Sequence, residues 1–264
     1  MRIALVDSGF GLLAAAAAVR EARPDADLVL SNDVEGMPWG PRTPEDITER
    51  VLACAGAALD LEPDALIVAC NTASVHALPA LRERLEPGLP VIGTVPAIKP
   101  AAAAGEAFAV WATVATTRSA YQADLIARFA PGLPVAAVAC PGLAEAIEHA
   151  DEDALAEALA DAASRTPAGV RRVVLGCTHY ELVAAEIGAA LARGGPAPEL
   201  FGPAAALARQ ALDRLGEQAR PDASGTGGLV LLQNGRSTPI PAALLRYPQT
   251  RVLGSVQVEG ATPV

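Results

Sequence analysis

Leu66-Ile67-Val68-Ala69-Cys70-Asn71-Thr72 and Val173-Val174-Leu175-Gly176-Cys177-Thr178-His179 carry one pattern twice, far apart in the chain. In each, an apolar run of strand character ends in a small residue and a cysteine, and hydrogen-bonding residues with a helix-compatible stretch follow. The pattern predicts two buried strands with a thiol at the carboxyl end of each. In open α/β sheets ligands bind at that end, because the loops open there and the next helix presents unpaired amides. Two such thiols facing one pocket from opposite sides would make an acid/base pair, so the repeated segment speaks for both the fold and the chemistry.

Working outward, Arg2 to Val6 reads as a buried strand, followed by a turn at Asp7-Ser8-Gly9 and a helix from Leu12 to Glu21. Asp27 to Leu30 supplies a second strand. A loop rich in Gly and Pro then leads to a helix from Pro44 to Leu59, with Thr43 as its cap. Asp64 to Ala69 is a strand, Thr72 to Leu85 a helix and Val91 to Thr94 a strand. The alternation predicts a parallel sheet covered by helices on both faces. Pro96-Ala97-Ile98-Lys99-Pro100 reads as a crossing between lobes, after which the pattern restarts. Strands at Ala109 to Ala112, Val135 to Ala139 and Val173 to Leu175 alternate with helices at Tyr121 to Phe129, Gly142 to Ala163 and Glu181 to Ala192. A helix from Ala204 to Leu215 and strands near Leu229 to Leu232 and Val252 to Val258 return to the first lobe. The expectation is an α/β protein of two lobes, 1–97 plus 205–264 and 98–204.

Composition narrows the function. With 30 acidic against 20 basic residues the formal net charge is −10, which argues against a nucleic-acid partner, since phosphate binding needs a basic face. An anionic substrate would be captured by local amides. The four cysteines, Cys54, Cys70, Cys140 and Cys177, lack close spacing in a chain too long to need staples, so a reduced cytoplasmic protein is expected. Asp7 interrupts the apolar N-terminus, which argues against a signal peptide. No run is long and apolar enough to suggest a bilayer span.

Either strand-end cysteine alone could be a small buried residue. The pair reads differently, because Thr72 and Thr178 with the backbone after each cysteine can hold a carboxylate. Asp7 could cap a helix, or position and exchange a proton with the thiol at the neighbouring strand end. His179 stands in the matching place beside Cys177, and an imidazole suits a thiol partner. Two rivals remain. Cys70, Cys177 and His179 could form a metal site, although structural zinc sites show close ligand pairs and more ligands. Gly9-Phe10-Gly11-Leu12-Leu13-Ala14 matches a dinucleotide-binding fingerprint, with Asn32-Asp33 where a ribose-binding acid would fall. Asp7 and Ser8 would then lie beside the pyrophosphate. Cys54 reads as packing, Cys140 as a residue that could line the cleft, and His76 and His149 as structural or exposed.

These residues together resemble the cofactor-independent glutamate racemases of the aspartate/glutamate racemase superfamily. The resemblance runs over almost the whole chain. It is carried by Val6-Asp7-Ser8-Gly9, Pro38-Trp39-Gly40-Pro41-Arg42, Ala69-Cys70-Asn71-Thr72-Ala73-Ser74 and Val95-Pro96-Ala97-Ile98-Lys99-Pro100. Thr113, Thr116 and Ser119, Cys140-Pro141 and Leu175-Gly176-Cys177-Thr178-His179-Tyr180 continue it. It implies two pseudo-symmetric α/β lobes with an amino-acid substrate in the cleft between them, no cofactor, no metal, and a homodimer. By the same resemblance Cys70 would serve the D-enantiomer with Asp7, and Cys177 the L-enantiomer with His179. Ser8, Trp39, Gly40, Asn71, Thr72, Thr116 and Thr178 would hold the substrate. The product would be D-glutamate for peptidoglycan. The chain departs from the pattern at four places: Leu12 follows Gly11 where a third glycine is usual, Trp39 replaces tyrosine, Glu181 replaces proline and Ala112 replaces glycine. None touches a thiol, but the pocket wall at Trp39 leaves aspartate, a hydantoin or a specialised amino acid open as substrate. A non-catalytic ligand-binding homologue is the alternative from another class.

Overall fold

The computed structural model describes residues 1–254. The chain opens with β1 (Arg2–Asp7), α1 (Leu12–Ala22), β2 (Asp27–Asn32), α2 (Pro44–Leu59), β3 (Ala65–Val68), α3 (Asn71–His76), α4 (Leu78–Leu85) and β4 (Val91–Gly93). A second series comprises α5 (Ile98–Ala102), β5 (Phe108–Ala112), α6 (Val114–Thr117), α7 (Ala120–Phe129), β6 (Val135–Ala139), α8 (Leu143–Glu148) and α9 (Glu152–Arg165). It continues with β7 (Arg172–Leu175), a 3-10 turn (Thr178–Val183), α10 (Ala184–Ala192) and β8 (Glu199–Phe201). The chain then forms α11 (Ala204–Leu215), β9 (Leu229–Gln233), β10 (Arg236–Thr238), a 3-10 turn (Ala242–Arg246) and α12 (Pro248–Leu253).

Two compact units result, one from Met1–Thr94 with the chain from Ala204 onward, the other Val95–Pro203. The first holds a sheet of order β10-β9-β2-β1-β3-β4, parallel except where β10 meets β9. The second holds a wholly parallel sheet of order β6-β5-β7-β8. The β2-β1-β3-β4 part of the first sheet has the order of the second. Each series places its first strand inside, its second on one side, and its third and fourth on the other. β3 and β7, which precede the two cysteines, are therefore equivalent strands.

Alternation along the strands builds the cores. Ala4, Val6, Val29, Leu66 and Val68 pack with Ile47, Val51, Cys54 and Ala55 of α2 in one buried cluster. By the two-residue period, Ile3, Leu5 and Asp7 face the opposite side, and Ile3 and Leu5 are fully buried there. Each such aliphatic side chain contributes about 1.5–3 kcal/mol relative to leaving it in water. Thr43 caps α2 by accepting the Asp46 amide, with Pro44 at the first position and Glu45 and Asp46 in the first turn.

Several expected elements differ. The helix expected from Thr72 to Leu85 breaks at Ala77 into α3 and α4. Pro79 has no amide to donate and its ring would clash with the preceding turn. The helix expected from Gly142 to Ala163 breaks at Ala150, whose φ is +53°, and Asp151 starts α9 by accepting the Ala154 amide at 3.0 Å. Thr178–Val183 forms a 3-10 turn, so the helix expected from Glu181 begins at Ala184. The crossing at Pro96 to Pro100 contains the start of α5, where Pro100 sits in the first turn and needs no amide bond. A strand near Val252 is overturned, since Val252 and Leu253 end α12. The rest of that expectation lies outside the described residues.

Candidate active site

Cys70 leaves β3 at the N-cap position of α3, with φ −139° and ψ 124°, and is 8% exposed. The residue before it is laced to the neighbouring strand, since the Ala69 amide donates to the Val6 carbonyl at 2.8 Å. Cys70 thus emerges beside the end of β1, which carries Asp7. Asp7 is fully buried, and its Oδ1 accepts the Ser8 amide at 2.6 Å and the Ser8 hydroxyl at 3.3 Å. Asn71 is buried and Thr72 half-buried in the first turn of α3.

The second unit repeats this construction. Cys177 leaves β7 with φ −134° and ψ 137°, caps the 3-10 turn and is half-buried. The Gly176 amide donates to the Trp111 carbonyl at 2.7 Å. Val6 and Trp111 are both the penultimate residues of their strands, so the two cysteines occupy equivalent positions in nearly the same backbone conformation. Glycine is required before Cys177 because a Cβ there would lie 2.8 Å from the Trp111 carbonyl oxygen and 3.0 Å from the Ala112 Cβ. Thr178 is buried. Thr116, half-buried in α6 after β5, accepts from the Thr113 hydroxyl at 3.0 Å and is placed by the Thr113 cap.

The groups beside the thiols are not equivalent. In the second unit the residue matching Asp7 is Ala112, and a titratable side chain, His179, lies instead two residues after the cysteine. His179 is 3% exposed; its Nδ1 lies 3.8 Å from Cys177 Sγ, within reach of a sulfur hydrogen bond, and its Nε2 lies 2.9 Å from Glu148 Oε2. Burial disfavours the charged imidazole, but Cys177 and Glu148 outweigh it and hold His179 well above the usual imidazole range. A relay Glu148–His179–Cys177 results, its Glu148–His179 pair buried. Tyr180, fully buried, donates to the Cys140 carbonyl at 3.4 Å and anchors the same turn.

Sequence reasoning missed Glu148. In that acidic stretch the sequence singles out only His149, as structural or exposed. The period of α8 was the available signal, because Leu143, Ala144 and Ile147 bury the side on which Glu148 falls. Cys140 does not present an accessible thiol: it is 2% exposed, its Sγ meets the Val138 carbonyl at 3.5 Å, and burial pushes the thiol up to about 12. Cys54 is likewise buried in a helix and pushed up to about 12 by burial. His149 and His76 are exposed. Trp39 is 1% exposed, with its indole N–H donating to Asp33 Oδ2 at 2.9 Å, and Gly40 beside it is half-buried. Asp33 is therefore committed to the protein interior, which removes the acid that a dinucleotide site would need.

The Asp/Glu/Hydantoin racemase family model matches residues 11–211, a span that includes both cysteines. The chain belongs to this racemase family. It is 37% identical over 254 residues to a glutamate racemase of Sphingopyxis alaskensis, covering 92% of each chain, and 37% identical over 232 residues to one of Salmonella gallinarum, covering 85% of this chain and 80% of the relative. Among solved structures, the Escherichia coli glutamate racemase in complex with L-glutamate and the activator UDP-MurNAc-Ala is 30% identical with a TM-score of 0.76, covering 96% of this chain and 92% of that one. A glutamate racemase isoform from Bacillus anthracis is 26% identical with a TM-score of 0.73, over 98% of this chain and 97% of that one.

Proposed function

We propose that this racemase interconverts L- and D-glutamate by proton transfer at Cα between two thiols. The observation that carries the reading is the equivalence of Cys70 and Cys177 on two sheets of the same strand order. Inversion needs one base on each face of the α-carbon, and each must serve as the acid in reverse. From L-glutamate the Cys177 thiolate takes the α-proton and becomes a thiol. The electron pair of the C–H bond is held as a carbanion against the carboxylate, and the Cys70 thiol delivers its proton to the opposite face and becomes a thiolate. From D-glutamate the roles exchange. His179, held well above the usual imidazole range by Cys177 and Glu148, can balance negative charge on Cys177 Sγ, and Asp7 serves Cys70. Ser8, Asn71, Thr72, Thr116, Thr178 and the amides after each cysteine would bind the substrate and stabilise the carbanionic transition state.

Independence from pyridoxal phosphate fits the residues. That cofactor requires a lysine Schiff base, and the single lysine, Lys99, is exposed on α5. As part of the same proposal the enzyme acts as a homodimer in the cytoplasm and supplies D-glutamate for peptidoglycan. None of the four cysteines forms a disulfide, and among the described residues no helix is long and apolar enough to cross a membrane.

Cys70→Ser and Cys177→Ser test the mechanism. Because the two enantiomers have equal free energy, kcat/KM must fall equally in both directions for either variant, by about 10³-fold or more, given what a positioned acid or base contributes. Full activity in either would defeat the two-thiol reading.

A further inference from the structure

The loop between β2 and α2 leaves the carboxyl end of the first sheet one strand from Asp7, since Asn32 is the register partner of Asp7. It turns back through Trp39, which belongs to the same buried cluster as Cys70 and Ala73. The loop therefore shares its core with the strand end that carries the first thiol, and one carboxylate organises it. Asp33 Oδ2 accepts the Trp39 indole N–H at 2.9 Å and Arg50 Nη1 at 2.9 Å, while Oδ1 accepts Asn234 Nδ2 at 2.7 Å and the Gly36 amide at 3.0 Å. The Asp33 carbonyl accepts the amides of Gly36 and Met37. A Cβ at Gly36 would overlap the Asp33 carboxylate and Arg50, so the turn is closed tightly around the acid. Burial opposes the charge, and the bonds from Trp39, Arg50 and Asn234 outweigh it, holding Asp33 below the usual carboxylate range. The donors come from three parts of the first unit: the loop itself, α2, and the turn between β9 and β10.

We propose that Asp33 is a positioning residue for substrate selection, which fixes the Pro38-Trp39-Gly40 wall beside Cys70 through the Trp39 indole N–H. Asp33 does not touch the substrate; it acts by denying Trp39 any other orientation. A tryptophan offers one donor, and that donor is committed to a carboxylate that already accepts from three other groups. The wall therefore presents shape and backbone rather than a side-chain hydroxyl, and its position depends on the Asp33 bond. The inference rests on the glutamate racemase reading above.

The test compares wild type, Asp33→Asn, Trp39→Phe and the double variant, measuring kcat and KM for D-glutamate and D-aspartate together with Tm. Trp39→Phe keeps a ring but removes the donor. Asp33→Asn cannot accept from all four donors. Each single variant is expected to raise KM for glutamate about tenfold with kcat within about threefold of wild type, the pattern of lost positioning in binding rather than in chemistry. The glutamate preference over aspartate falls, and the double variant is no worse than the worse single one, as expected for two residues acting through one bond. An unchanged KM in folded Trp39→Phe, a loss of kcat alone, or additive losses in the double variant overturns the inference. If Asp33→Asn does not fold, the KM and aspartate ratio of Trp39→Phe decide it. Wild type inactive on glutamate would instead overturn the functional reading on which the inference stands.

Discussion

Glu148→Gln isolates the electrostatic part of the relay. Glutamine keeps the length of the side chain and can still accept from His179 Nε2, so the 2.9 Å contact survives while its charge is lost. Both side chains are about nine-tenths or more buried, so solvent does little to screen the pair. A hydrogen bond between charged partners contributes about 1.5–3 kcal/mol, against about 1 kcal/mol for a neutral one. If the difference is felt when Cys177 gains or gives up a proton, kcat/KM falls roughly 10-fold. It must do so equally for both enantiomers, because their equilibrium constant is one. The pH dependence has a definite sign. His179 is held well above the usual 6.5, so its charged form is favoured in the native enzyme. The stability this supplies is fully present below pH 6.5 and is lost as pH rises through the folded-state value. Glu148→Gln should therefore lower Tm most in acid, with the two proteins converging in alkali, and should move the alkaline limb of the kcat/KM profile to lower pH. The assay is chiral analysis of initial rates from pH 5 to 10 beside thermal melts (both limits roughly bracket the imidazole and thiol ranges). A profile that keeps its alkaline limb, with kcat/KM within twofold of wild type, would refute the relay.

Two further outcomes follow from the geometry. Iodoacetamide at neutral pH should alkylate Cys177 ahead of Cys54 and Cys140, whose buried thiols are both pushed up to about 12, and inactivation should track the Cys177 adduct by mass spectrometry. Early labelling of Cys54 with activity retained would contradict the burial argument. Gly176→Ala places a Cβ 2.8 Å from the Trp111 carbonyl oxygen and should lower stability by about 1–3 kcal/mol while displacing Cys177, so that kcat/KM falls in a protein that still folds. An unchanged rate would mean that the close approach at Gly176 does not set the thiol's position.

Much of this was legible in the sequence because the strands are short apolar runs and the cysteines follow them directly. The β3 and β7 segments read correctly for that reason, as did α2, which announces itself through Thr43 and Pro44. Long helices were harder. Pro79 should have split the helix after Cys70, but apolar spacing on both sides masked the break, and nothing local marks Ala150 as a residue that takes a positive φ. The site divides in the same way. Groups adjacent to the cysteines, Thr72, Thr178 and His179, could be read by position. Glu148 reaches His179 across 31 residues, and Asp33 meets Asn234 across 201, so these partners depend on sheet order and on which helix face turns inward. Trp39 reads from the sequence as pocket wall, and the Asp33 bond shows where its polar edge is fixed.

The central claim is that two thiols move a proton through the α-carbon, and proton NMR of the purified protein in deuterated water, without added cofactor, addresses it most directly. With L- or D-glutamate the account predicts loss of the α-proton signal together with formation of the opposite enantiomer, and loss of both processes in Cys70→Ser and Cys177→Ser. No exchange on glutamate with the wild-type protein, or exchange with inversion that survives either substitution, would contradict it.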